Sequence, residues 1–262
     1  MRILRLLRDG KALSGHKKEQ RRASSVEDGH HYYSSPPYST DHARISTPDH
    51  KLVIRAIANT SNPPTADHRY TSARLVSRQK LARPQGCLTA VLTSPCAPGI
   101  WPAFWLLPSE PFSWPHDGEV DIAETWNGDR NNKSCLHWGF FTPEDAGKHR
   151  TVGTQIDDMP VRPVRYEFAW DQRDGNGAGR LIWWIDGRPV MKADVPPGTR
   201  RLTDWQILLN VAIGGNVCAG QVPREGYYDF VVHEMKLAQE PEWGGWGRFE
   251  RDWAVCREGN TM

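Results

Sequence analysis

A chain of 262 residues with a formal net charge of +2 and 24% charged residues is long enough to bury a sizeable core as one domain. It carries no overall charge that would select nucleic acid. A mean hydropathy of −0.63 and the lack of any apolar run of transmembrane length exclude a helical membrane protein.

The charge is uneven. Residues 1–22 hold eight Lys or Arg against Asp9 and Glu19, a local +6 that leaves the rest of the chain at −4. This basic head reads as a solvated terminus rather than a contact for nucleic acid or anionic lipid. Arg5 and Arg8 interrupt its short apolar stretches, so the start lacks the apolar centre of a standard secretory signal. Residence inside the cell, or export by another route, is then expected. Residues 1–50 are expected to form a polar, irregular or partly disordered segment rich in Ser, His, Tyr and Pro, and 51–262 a β-sandwich domain.

Short β-type runs begin at Leu52–Ile57 and recur at Tyr70–Val76, Cys87–Thr93, Phe104–Leu107, Glu119–Thr125, Ser134–Phe141 and Thr151–Ile156. They continue at Arg165–Trp170, Arg180–Ile185, Trp205–Val211 and Tyr228–Leu237. Turn residues separate most of them: Asn62-Pro63-Pro64, Asp174-Gly175-Asn176-Gly177, and Asp186-Gly187, which predicts a tight hairpin between LIWWI and RPVMKA. Many short strands with few helical periods predict an all-β sandwich or barrel. The one helix expected is short and N-terminal, and the aromatic C-terminal stretch PEWGGWGRFERDW reads as an irregular coda.

Five cysteines is an odd number, so at least one thiol is unpaired within the chain. Cys87–Cys96 and Cys218–Cys256 are the pairings considered, without a unique connectivity. Without a CxxC pair, a structural zinc site has little support. Two glycosylation acceptors, Asn59-Thr60-Ser61 and Asn132-Lys133-Ser134, would count only after export.

The most informative segment is Glu119-Val120-Asp121-Ile122-Ala123-Glu124, set among Trp101, Trp105, Trp114, Trp126 and Trp138. On a strand, Glu119 and Asp121 share one face with Val120 and Ile122 on the other. Strict alternation would then turn Glu124 inward. One bulge after Ile122 returns it to the face of the other two acids, and inward-leaning side chains bring two carboxyl groups within the short separation used by retaining glycosidases. One glutamate would attack the anomeric carbon while the other donates a proton to the leaving oxygen; mutual repulsion helps divide these roles. An ordinary acidic edge strand, or a calcium site built from the same carboxylates, fits the hexapeptide alone.

The run GIWPAFWLLPSEPFSWPHDGEVDIAETWNG, with TSARL upstream, CLHWG downstream and DWQILLNVAIGG later, resembles glycoside hydrolase family 16, in its laminarinase-like branch. The similarity covers roughly residues 50–240. It implies a two-sheet β-jelly-roll with a concave substrate cleft, and retaining endo-hydrolysis of β-1,3- or mixed β-1,3/1,4-glucans. By that resemblance Glu119 is the nucleophile, Asp121 an assisting acid and Glu124 the acid/base. Arg74, Trp101, Trp105, Trp114, Trp126, His137 and Asn210 are implied cleft residues, Trp rings being rigid platforms for sugar C–H faces. Asp229 sits near the family position for a structural calcium on the convex side. The chemistry itself implies no cofactor, and the expected partner is a β-glucan acted on by a monomer. A transglycosylase and a non-catalytic carbohydrate-binding protein are the alternatives. The resemblance implies an extracellular or cell-wall address, against the missing signal.

Overall fold

The computed structural model describes residues 45–46, 50–63, 69–140, 142–173 and 178–261. The expected N-terminal helix, most of the polar head and the Asp174–Gly177 turn lie outside them. Among the described residues fourteen strands and one α-helix follow in chain order: β1 (Ile45–Ser46), β2 (Leu52–Ala58), β3 (Tyr70–Thr71), β4 (Arg74–Lys80), β5 (Gln85–Thr93), β6 (Ile100–Pro108) and β7 (Glu119–Glu124). Then come β8 (Asn131–His137), β9 (His149–Gln155), β10 (Val164–Asp171), β11 (Arg180–Ile185), β12 (Arg188–Asp194), β13 (Trp205–Ile213), β14 (Gly226–Ala238) and α1 (Gly245–Val255).

Two antiparallel sheets face each other. One runs β1-β2-β14-β5-β10-β11-β12 with β3 beside β2, and the other runs β4-β13-β6-β7-β8-β9. The period of two along each strand assigns the layers. On β10, Tyr166, Phe168 and Trp170 enter the central core, while Ala169 faces outward into a second cluster. On β13, Ile207, Leu209 and Val211 enter the core and Leu208 joins an apolar patch on the opposite face. The six-stranded sheet therefore has a buried back and an open front.

The expected strands are present, with adjustments. The Tyr70–Val76 run divides into β3 and β4, which belong to different sheets. The Ser134–Phe141 run starts earlier and stops at His137. Asp186-Gly187 closes the β11–β12 hairpin with φ of 47° and 77°, as a type I′ turn requires.

Among the described residues the α-helix is C-terminal. The stretch expected as an irregular coda forms α1, because Trp246, Phe249 and Trp253 recur at helical spacing and lie against Trp184 and Ile182 on the outer face of the larger sheet. Arg248 of α1 reaches Glu167 of β10 through both guanidinium ends, at 3.2 Å each. Trp184 Nε1 donates to Asp252 at 2.6 Å.

All five cysteines are free thiols. Cys87 faces outward with Cys256 beneath α1, whereas Cys96 packs against the central core with its thiol directed at the Ser94 carbonyl; this separates the first expected pair. Cys218 is buried in a short turn away from α1. Among the described residues no helix is long and apolar enough to cross a membrane.

Candidate active site

Strand β7 lies in the middle of the six-stranded sheet, between β6 and β8. Gly118 leads into it with φ +101°, and a Cβ there would lie 2.8 Å from the Trp205 ring, so only glycine fits this entry. Asp121 pairs with Cys135 and Glu124 with Lys133, so two residues of β7, Ile122 and Ala123, stand against Ser134 alone. That is the expected bulge. Val120, Ile122 and Ala123 all enter the core, and Glu119, Asp121 and Glu124 all line one cleft on the front.

Two residues hold the bulge, and sequence reasoning had singled out neither for it. Asn132, 1% exposed, accepts the Glu124 backbone N–H at 3.1 Å and directs its amide at the Ile122 carbonyl, at 3.5 Å. Trp183 reaches across from the other sheet and donates to the Asp121 carbonyl at 3.0 Å. Asn132 is buried, so the folded site leaves no room for a glycan on its amide. The available signal was its place four residues after a turn, opposite the acids. Asn132→Ala is expected to lower kcat by up to about 10²-fold by loosening Glu124, and to cost about 1–3 kcal/mol for the orphaned N–H. Steady-state kinetics and urea unfolding read the two effects.

Each glutamate receives an indole donor. Trp114 Nε1 donates to Glu119 at 3.0 Å, and Trp101 Nε1 to Glu124 at 2.6 Å. Between them, Asp121 faces His137, whose Nε2 is 3.3 Å from the Asp121 carboxylate and 4.0 Å from Glu119. Burial pushes all three acids above the usual carboxylate range, and the Asp121 charge pushes both glutamates further. His137 and the indole donors pull the other way on the two glutamates. The site is thus built to keep part of its acid protonated near neutral pH.

The register extends this front into rows. Arg74, Asn210, Ala103, Glu124 and Lys133 follow one another across the sheet, as do Val76, Leu208, Trp105, Asp121, Cys135 and Thr151. Trp105 is 4% exposed; its Nε1 bonds Asn210 at 2.8 Å and Arg74 stacks on its ring at 4.7 Å. Trp105 therefore forms the cleft floor, and Trp101, Trp114 and Trp126 rise half-buried around it. Further depressions flank the acids, one over Arg74, Phe112 and Gln206 and one over Trp138, Phe140 and His149. The ten expected catalytic and cleft residues all fall in this trough.

Asp229 lies on β14 of the larger sheet, apart from this trough. It pairs in register with Arg55, whose guanidinium takes both carboxylate oxygens at 2.6 and 2.7 Å. That ion pair ties β14 to the strand LVIRAIA.

A family model described as the XgeA-like, catalytic GH16 domain matches residues 25–159, just over half of the chain. The chain belongs to glycoside hydrolase family 16. It is 38% identical over 184 residues to a beta-glucanase of Rhodothermus marinus, covering 63% of this chain and 58% of the relative. It is 24% identical over 207 residues to glucan endo-1,3-beta-glucosidase A1 of Niallia circulans, covering 71% of this chain and 29% of that protein. The chain spans 24% to 32% of the length of this and two other curated relatives. The structure of an endo-1,3-beta-glucanase from Streptomyces sioyaensis superposes with a TM-score of 0.63 at 21% identity, over 78% of this chain and 81% of that one. The two-sheet front and back described above are thus the family's jelly-roll fold.

Proposed function

We propose that this member of family 16 is an endo-acting, retaining glycoside hydrolase of β-1,3- or mixed β-1,3/1,4-glucans, working as a monomer. The observation that carries the reading is the bulged β7, which sets Glu119 and Glu124 on one face with Asp121 between them. In the first step, ionised Glu119 attacks the anomeric carbon while Glu124 gives its proton to the departing glycosidic oxygen. In the second, Glu124 takes a proton from water, whose oxygen displaces Glu119. Asp121 and His137 hold the charge balance around the nucleophile, and no cofactor enters either step. Depressions on both sides of the acids suit attack within a chain rather than at its end. Intact glutamates at both positions weigh against a protein that only binds sugar.

Laminarin, lichenan, xyloglucan, chitin and agarose, incubated with the full chain and followed by reducing ends and by NMR of the first product anomers, test this directly. Release of the β-anomer from laminarin or lichenan is expected. Release of the α-anomer would exclude double displacement, and turnover of chitin alone would exclude the substrate class.

The indole donors give a way to assign the two glutamates. Each lowers the proton affinity of its partner, so its removal raises that partner's pKa. Trp101→Phe should move the alkaline limb of kcat/KM upward, because Glu124 must hold its proton. Trp114→Phe should move the acid limb upward, because Glu119 must lose its proton. The reverse pattern would exchange the two roles.

A further inference from the structure

Asp121 and Cys135 are register partners on adjacent strands, and His137 stands two residues beyond Cys135 on the same face. A carboxylate oxygen of Asp121, the thiol sulfur of Cys135 and Nε2 of His137 all lie within 4.8 Å of one another. Tetrahedral coordination with bonds of roughly 2.0–2.3 Å places ligand atoms about 3.5 Å apart. Small side-chain rotations, each on the order of 1 Å or less, would bring this trio to that geometry. Glu119 and Glu124 flank the trio, so a divalent ion there would also balance buried negative charge.

We propose that Asp121, Cys135 and His137 form an inhibitory site for a thiophilic divalent cation such as Zn²⁺. The fourth coordination position faces the open cleft, as in three-ligand zinc sites that keep a water. Sulfur and imidazole donors select Zn²⁺, Co²⁺ or Cu²⁺ over Mg²⁺ and Ca²⁺. On binding, the Cys135 thiol gives its proton to water and leaves the Thr151 hydroxyl that it now contacts at 3.1 Å. The ion then occupies Asp121 and His137 beside Glu119, where a sugar ring would lie, so metal and glucan exclude each other. Only this last consequence rests on the proposed activity.

Cobalt titrated into chelator-treated full-length protein tests the site without turnover. A thiolate-to-cobalt charge-transfer band is expected, abolished by added Zn²⁺ and absent in Cys135→Ser. Serine should weaken Zn²⁺ binding at least about tenfold in calorimetry. With laminarin as substrate, Zn²⁺ should raise apparent KM at constant kcat, and Mg²⁺ should not. Half-inhibition of Cys135→Ser should need at least tenfold more Zn²⁺, relative to that variant's own metal-free rate. A band unchanged in the serine variant, no band in the wild type, or equal zinc sensitivity of the two proteins would overturn the site. A Cys135-dependent band in a protein that cleaves no glucan would uphold the metal site and overturn the hydrolase reading instead.

Discussion

Glu119→Gln is expected to lower kcat by on the order of 10⁴-fold or more, the loss that follows removal of a covalent nucleophile. Ligand affinity should change little, because the amide oxygen still accepts the Trp114 indole N–H that now meets Glu119 at 3.0 Å. The same substitution should stabilise the fold near neutral pH. Burial and the Asp121 charge hold the folded-state pKa of Glu119 above its ordinary value, so the ionised form that attacks the sugar is held in the fold at a cost that the unfolded chain does not bear. Stability therefore falls as pH rises from the ordinary carboxylate range, about 4.3 for Glu, through the raised folded value. Glutamine has no proton to lose. The variant's melting temperature should exceed that of the wild type at pH 7, and the gap should close as the pH drops below about 4. Thermal melts across pH, beside laminarin assays, measure both effects; retained turnover would remove Glu119 from the chemistry.

Arg248→Ala is expected to cost about 3–5 kcal/mol, because it strands a buried carboxylate. Glu167 has no exposed surface, and its bidentate contact with Arg248 is the buried ion pair between α1 and the larger sheet. Arg165, at 3.6 Å from the same carboxylate, offsets part of the loss and favours the lower end of that range. Arg248 also donates to the Glu242 and Gly187 carbonyls and lies 4.6 Å over the Trp184 ring, so its loss reaches the β11–β12 turn as well. Replacing both partners by apolar residues, Glu167→Leu with Arg248→Met, should recover most of the stability, since no charge is then left without a counter-charge. Urea unfolding midpoints of the two variants decide the matter. A double variant no more stable than Arg248→Ala would mean that the stranded Glu167 charge is not what the single substitution costs.

The strands were legible from short runs of apolar and β-branched residues bounded by turn residues, and the start of the acid face from the alternation of Glu119-Val120-Asp121-Ile122. The bulge was legible because strict alternation turns Glu124 inward and one extra residue returns it to the face of Glu119 and Asp121. What escaped the sequence depended on partners far along the chain. The role of Asn132 appears only once β8 sets it beneath the Glu124 backbone. The Arg55 partner of Asp229 appears only once β2 and β14 pair. The C-terminal helix was hidden by Gly244, Gly245 and Gly247, residues poor in helix propensity; apolar contact with Trp184 and Ile182 outweighs that preference.

The inward pair Ile122 and Ala123 has a consequence for length changes in β7. Losing one residue from an ordinary strand sends everything beyond it to the wrong side of the sheet. Here the loss of Ile122 would leave Glu-Val-Asp-Ala-Glu, whose plain alternation again sets every acid toward the sugar. The harm would fall on the interior, as the about 2–5 kcal/mol of a large aliphatic side chain removed from a packed core, while the parity of the catalytic face is conserved. A one-codon deletion should thus give a less stable protein that still cleaves, a result that no single deletion at Val120 could match.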